Sequence, residues 1–380
     1  MLRTNKKRRI CITTWYGTGN YGSNLQAIGL SKTLKQLDYE PYFIDKFRVK
    51  SFFLKHPVLL YARIINRINR EKNKAFFSPV PYDLSPERKN RLDKFKSDNF
   101  MTKAYFTSAE WQEDIKDDVI FACGSDILWN PARGYPALNF LDVAYYAGLS
   151  RFSYASSIGA LELPKKYYRA YKRYLGSMKA VGVREQTVVD MLEPIIGMRP
   201  TRVVDPSLLL TTSDWDEFAD KAELSVKTDP KGFIVCYFVM NDPRYWEYVK
   251  KVEEETGFQI IVLPMHAQDE QRPYSIVLDG TPYEFLWLVK NAEFVLTDSF
   301  HACVVSMIYH KEFYLLRRTR NEEDAKYNDF LGRYHLMNRS ISDESVFERN
   351  PDVDYTFADE QLKKDREFSM EFLKDALEKC

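Results

Sequence analysis

A strand–helix alternation runs twice through this 380-residue chain, once on each side of a polar stretch at 211–231, and no other feature constrains its fold as much. Short apolar runs at 9–14, 41–45, 118–123, 152–155, 180–183 and 201–204 read as buried strands, with helical spacing between them. Leu25, Ile28, Leu30, Leu34 and Leu37 give one such helix a broad apolar face. A second series follows at 233–237, 259–263, 275–278, 293–297 and 312–316. Strands that alternate with helices form mostly parallel sheets. A chain of this length exceeds one ordinary core. The expected fold is therefore α/β, with two Rossmann-like domains facing a cleft. The boundaries read as 1–210, carrying a basic helical insert at 46–100, then 211–345, then a C-terminal helical segment at 346–380.

A net charge of +1 argues against general nucleic-acid binding, which usually shows a strongly basic domain. Cys11, Cys123 and Cys236 fall within expected strands, and Cys303 and Cys380 complete an odd set without a C-x-x-C pair. That pattern points to a reduced, cytoplasmic protein without a zinc site. Lys6 to Arg9 is basic, but no apolar run of signal-peptide length follows, and no stretch of 18 apolar residues is present. Residues 46–74 hold nine Lys or Arg and one acid, Glu71. Helical spacing from Pro57 sets Arg63, Arg67, Arg70 and Lys74 on one stripe opposite Val58, Tyr61, Ile65 and Ile68. Such a helix either packs on its own domain with a solvated basic face or rests on an anionic membrane surface.

The strongest chemical signal is 294–301, FVLTDSFH, a buried strand ending in a polar turn where a helix opens near His301. Strand ends of open α/β sheets bind ligands, a helix N-terminus suits an anion, and a histidine there can donate a proton. In the plainer reading Asp298 and Ser299 only cap the helix. Gly17-Thr18-Gly19-Asn20-Tyr21-Gly22 is a literal G-x-G-x-x-G, and Asp45 ends the next strand where a ribose-binding acid would lie. Against a dinucleotide site, Asn20, Ser23, Asn24 and Gln26 make the helix start polar and suit a hydroxyl-rich ligand, with Asn20 or Ser23 alternatively a cap. After 119–123, Gly124 turns the chain so that Asp126 can hold or deprotonate a hydroxyl and Trp129 can stack on a sugar. Arg184 ends another strand with a guanidinium suited to phosphate or carboxylate, or forms a surface pair with Glu185. The segments 154–159 and 205–207 read as scaffold.

Taken in order, 19–26 (GNYGSNLQ), the 124–130 turn, 154–159, 183–185, 204–206 and 297–301 resemble the polysaccharide pyruvyl transferase family, over about residues 9–340. The resemblance implies a GT-B-like pair of domains and transfer of pyruvate from phosphoenolpyruvate onto two sugar hydroxyls, as a cyclic ketal, in exopolysaccharide or capsule biosynthesis. It makes His301 the catalytic histidine and Arg184 a candidate donor-binding residue; from its own place in the chain Ser299 joins the donor-binding candidates, and Asp126 is the candidate base. Asn20, Asn24, Gln26, Ser125 and Trp129 are the candidates for the acceptor. Three positions depart from the family pattern: Ala302 follows the histidine in place of Gly, Ser299 stands where some members carry Arg, and Ile127 replaces a frequent Gln. Phosphate binding then falls to Arg184, the helix N-terminus, or Arg317 and Arg318. No cofactor or metal is expected. The partners are phosphoenolpyruvate and a sugar acceptor, lipid-linked if segment 57–74 serves the inner face of the cytoplasmic membrane. The competing readings are a GT-B-like glycosyltransferase using a nucleotide-sugar, a non-catalytic carbohydrate-binding protein and, more distantly, an NAD-dependent dehydrogenase.

Overall fold

The structure is a computed structural model and describes residues 7–57, 59, 61, 64, 85–116, 118–130, 141–160, 162–317, 324–341 and 347–380. Its first sheet comprises β1 (Arg9–Thr13), β2 (Glu40–Phe47), β3 (Thr102–Tyr105), β4 (Ile120–Cys123), β5 (Arg151–Ser156), β6 (Val181–Val183) and β7 (Thr201–Arg202), in the order β3-β2-β1-β4-β5-β6-β7. The second comprises β8 (Phe233–Tyr237), β9 (Gln259–Val262), β10 (Ser275–Ile276), β11 (Phe294–Thr297), β12 (Glu312–Leu316) and β13 (Ser340–Ile341), in the order β10-β9-β8-β11-β12-β13. The strand pairs in both sheets are parallel. Helices cover parallel sheets on both faces, so their inner strands must be apolar on both sides. Accordingly β1, β4, β8 and β11 are buried at every position. The edge strand β3 is buried only at Tyr105.

Each sheet reverses its winding direction once, between β1 and β4 in the first and between β8 and β11 in the second. Ligands of open α/β sheets bind in the crevice outside the strand ends at such a reversal. The helix Tyr21–Gln36 follows β1, and the helix Phe300–Ile308 follows β11. These two helices pack against each other, so the two crevices meet. Tyr21 stacks on Phe285 at 5.1 Å and 13°, and Arg88 donates to Pro264 O (3.1 Å), Gly280 O (3.3 Å) and the Tyr21 hydroxyl (3.0 Å). One apolar core accordingly runs from Ile10 and Leu25 through Tyr21 to Phe285 and Val304.

The C-terminal helix Thr356–Glu378 returns to the first sheet. Ser369 Oγ accepts from Val204 N at 3.0 Å, Arg366 donates to Leu208 O at 2.8 Å, and Phe372 lies where a side chain at Gly182 would be. In the basic insert a helix spans Lys50–Lys55, Leu59 is buried, and Tyr61 and Ile64 are 58% and 50% exposed. Arg63, Arg67, Arg70 and Lys74 lie outside the described residues, as does Arg318.

Candidate functional site

His301 is the second residue of its helix and is 8% exposed, at the junction of the two sheets. Its ring lies on Gly22: a Cβ there would be 2.3 Å from His301 Nδ1. The third glycine of the G-x-G-x-x-G run thus admits an imidazole from the other sheet rather than a pyrophosphate. On its other edge, His301 Nε2 is 3.5 Å from Asp205 Oδ2 and has no closer hydrogen-bond partner.

Asp205 is the hub of the site, although its sequence context reads as scaffold. Its Oδ2 accepts from Ser125 Oγ (2.9 Å) and Arg184 Nη1 (3.2 Å), while Oδ1 accepts from Ser207 N (3.0 Å) and Ser207 Oγ (2.6 Å). Burial alone would raise its pKa. The charge and hydrogen bond of His301, then Arg184 and Ser207, outweigh burial and hold the carboxyl well below the usual carboxylate range. Arg184 is no surface residue. Its Nε donates to Glu185 Oε1 at 2.7 Å, and its Cζ lies 4.3 Å from the Phe300 ring centroid. Burial opposes the Arg184 charge, but Glu185, Asp205 and Asp126 more than reverse this, and its pKa is raised.

Asp126 stands at φ +80°, where its Oδ1 accepts from Ile127 N (2.7 Å) and its Oδ2 from Ser23 Oγ (3.1 Å). Ser299 is buried ahead of His301 without a side-chain capping bond, and its N–H donates to Thr297 Oγ1 at 2.9 Å. Asp298 does not cap the helix either. Its carboxylate accepts from Val239 N and Met240 N, tying the loop after β11 to the loop after β8.

The residues expected to face an acceptor are engaged within the protein. Asn20 caps its helix by accepting from Ser23 N at 3.1 Å. Asn24 is buried, donates to Thr18 O and Asn20 O (both 2.8 Å) and accepts from Gly17 N (2.7 Å). Gln26 donates to Thr14 Oγ1, Trp15 O and Ser23 O at 2.7–2.9 Å. These two amides therefore build the loop after β1. Ser125 serves Asp205, and Trp129 is 1% exposed within a core cluster that includes Ile158, Leu163 and Tyr171, out of reach of a sugar. Arg317 is engaged by Ser340 Oγ (2.6 Å) and Asn328 Oδ1 (3.1 Å). Asp45, the acid a dinucleotide site would need, forms an ion pair with Lys96.

Two residues of the site escape a reading of the sequence: Asp205, and Glu185 as a buried group. The available signal is that Asp205 directly follows the apolar pair Val203-Val204 and Glu185 stands two residues beyond the strand end Val183. Among the described residues, no group of three or more His, Cys, Asp or Glu side chains is arranged to hold a metal ion.

Paired parallel sheets with crevices facing each other define the GT-B class, and solved structures of that class superpose along the chain. UDP-N-acetylglucosamine 2-epimerase from Rickettsia bellii matches at TM-score 0.53 and 11% identity, covering 98% of this chain and 96% of its own. UDP-GlcNAc 2-epimerase from Methanocaldococcus jannaschii matches at TM-score 0.50 and 14% identity, covering 96% and 93%. At such identities the likeness is one of fold. The family follows from the sequence: the polysaccharide pyruvyl transferase family profile matches residues 20–320, and the chain belongs to that family. Among curated proteins, none matches the sequence.

Proposed function

We propose that this protein transfers the pyruvyl group of phosphoenolpyruvate onto two hydroxyls of a sugar, forming a cyclic ketal during bacterial-type exopolysaccharide or capsule synthesis. The observation that carries this reading is a histidine between the two sheets, with Nε2 beside a buried, ionised Asp205 and next to Arg184. A fixed negative charge beside the ring offsets the positive charge that develops on it as it moves a proton.

In the proposed mechanism the His301 ring gives a proton to the methylene carbon of phosphoenolpyruvate, and cationic character develops at the carbon bearing the phosphate. One sugar hydroxyl adds there and returns a proton to His301. Phosphate leaves with the second hydroxyl's proton as that oxygen closes the ring. Asp205, ionised throughout, stabilises the imidazolium at each turn. Arg184 and the helix start at Ser299 are the proposed seat of the donor's anionic groups. Asp126, held by Ser23, is the proposed base that takes the second hydroxyl's proton and passes it to the departing phosphate.

General acid catalysis contributes about 10²–10⁴-fold. His301→Ala should lower phosphate release from phosphoenolpyruvate, in the presence of an acceptor glycan, by about that factor at a temperature where circular dichroism shows the variant still folded. Wild-type turnover by this variant would remove His301 from the mechanism.

We place the protein in the cytoplasm at the inner face of the membrane, acting on a lipid-linked acceptor. The support is the basic character of 46–74, with Leu54, Tyr61 and Ile64 at least half exposed beside it. Among the described residues no helix is long and apolar enough to cross a membrane.

A further inference from the structure

A cavity of about 480 Å³ opens beside the His301 junction, between the ends of β6 and β7, the helix Asp324–Arg333 and the C-terminal helix. It shares Arg184, Asp205 and Phe300 with the site already described. Its volume falls within the roughly 300–1,000 Å³ typical of small-molecule sites. Two features of its wall identify the kind of ligand it fits.

The first is Glu185. Its side chain is 4% exposed; Oε1 is held by Arg184 Nε, whereas Oε2 is buried with no hydrogen-bond donor. A carboxylate oxygen only accepts, and leaving it unmatched in a buried place is costly. A ligand that offers it a hydroxyl removes that cost, and an anionic ligand does not. Three other guanidinium groups of the wall are already paired with carboxylates: Arg202 holds Asp329 at 3.4 Å, Arg333 holds Asp365, and Arg199 holds Glu193. The second feature is aromatic. Phe300, Phe330 and Tyr334 line the cavity, and Phe368 joins them from the C-terminal helix with 51% of its surface exposed. Apolar faces with a few fixed polar groups match a pyranose ring, which has C–H faces and a hydroxyl edge.

We propose that this cavity is a subsite for a neutral hexose residue, with Glu185 Oε2 accepting from one of its hydroxyls and Phe368 covering a ring face. The hexose is part of the acceptor only if the pyruvyl-transfer reading above is right; the sugar site itself stands on Glu185 and the aromatic wall. It assigns recognition to Glu185 and to the C-terminal helix, which lies beyond the residues matched by the family profile.

The test uses the full chain with methyl glycosides of glucose, galactose and mannose and the methyl glycoside of glucuronic acid, read by saturation-transfer NMR and titration. At least one neutral hexoside should bind, the glucuronide should bind more weakly, and Glu185→Gln should weaken the hexoside about ten-fold, as expected for losing a hydrogen bond to a charged group. Because Glu185 also steadies Arg184, Phe368→Ala is the second variant; its ring is half exposed, and its removal should weaken the same hexoside without unfolding the chain. Binding unchanged in both variants, preference for the glucuronide, or no binding by any of the hexosides would overturn the proposal. Stabilisation of the wild type by phosphoenolpyruvate is measured in parallel. Glu185-dependent hexoside binding without a phosphoenolpyruvate effect would sink the pyruvyl-transfer reading and keep the sugar site, and the reverse result would do the opposite.

Discussion

At the scale of single residues, the junction depends on one carboxylate being ionised where burial disfavours it. Asp205 is held below its usual range by His301, Arg184 and Ser207 together, so it behaves as a fixed negative charge rather than a titrating base. The sign of its pH effect follows. A depressed folded-state pKa contributes stability that is complete above the unfolded value of about 3.9 and is lost as pH falls through the folded value. Melting temperature followed from pH 7 into the acid range should therefore fall below about pH 4, and Asp205→Asn should flatten that part of the curve. At neutral pH the same variant should cost about 3–5 kcal/mol, because Arg184 is left buried with one carboxylate fewer. An unchanged acid limb in the variant would mean that Asp205 is not the group that titrates.

Between elements, the decisive contact is the start of one helix against the start of another. Gly22 on the helix Tyr21–Gln36 leaves room for His301 on the helix Phe300–Ile308, and a methyl group there would collide with Nδ1, Cγ and Cβ of the ring. Gly22→Ala should improve local helix propensity yet lower stability by about 1–3 kcal/mol through overpacking. Phosphate release should drop sharply at temperatures where the variant is still folded. Full activity would show that the ring can move without consequence. The inner strands were legible because a strand buried on both faces must be continuously apolar, as in Phe294–Thr297 and Phe233–Tyr237. Thr102–Tyr105 and Ser340–Ile341 were not, since short edge strands pack on few neighbours and carry little pattern. Arg184 and His301 could be placed at strand ends from spacing alone. The orientation of Asn24, Gln26 and Trp129 could not, because buried amides that tie a loop and an indole in a core cluster look in sequence like a binding face. The Asp205 hub depends on Ser125, Arg184 and His301 arriving from three different strand ends, which no local pattern reports.

For the molecule as a whole, two sheets of equivalent winding present their crevices to each other, and the C-terminal helix fastens onto the first sheet beside the point where they meet. Arg88 and the Tyr21–Phe285 stack hold the sheets in register across that junction. The proposed membrane contact predicts that the protein binds anionic vesicles through the basic insert, where Leu54, Tyr61 and Ile64 are at least half exposed. Neutralising Arg63, Arg67 and Arg70 should reduce co-sedimentation, by about 1 kcal/mol for each charge near the surface; equal pelleting of wild type and variant would remove the membrane role. We propose that the junction of His301, Asp205 and Arg184 receives phosphoenolpyruvate, and thermal melting with phosphoenolpyruvate, UDP-sugars and NAD in turn is the test. A ligand at 100 times its Kd adds about 2.7 kcal/mol. Phosphoenolpyruvate should stabilise the wild type and not Arg184→Ala; stabilisation by a UDP-sugar or NAD with none from phosphoenolpyruvate would overturn the assignment.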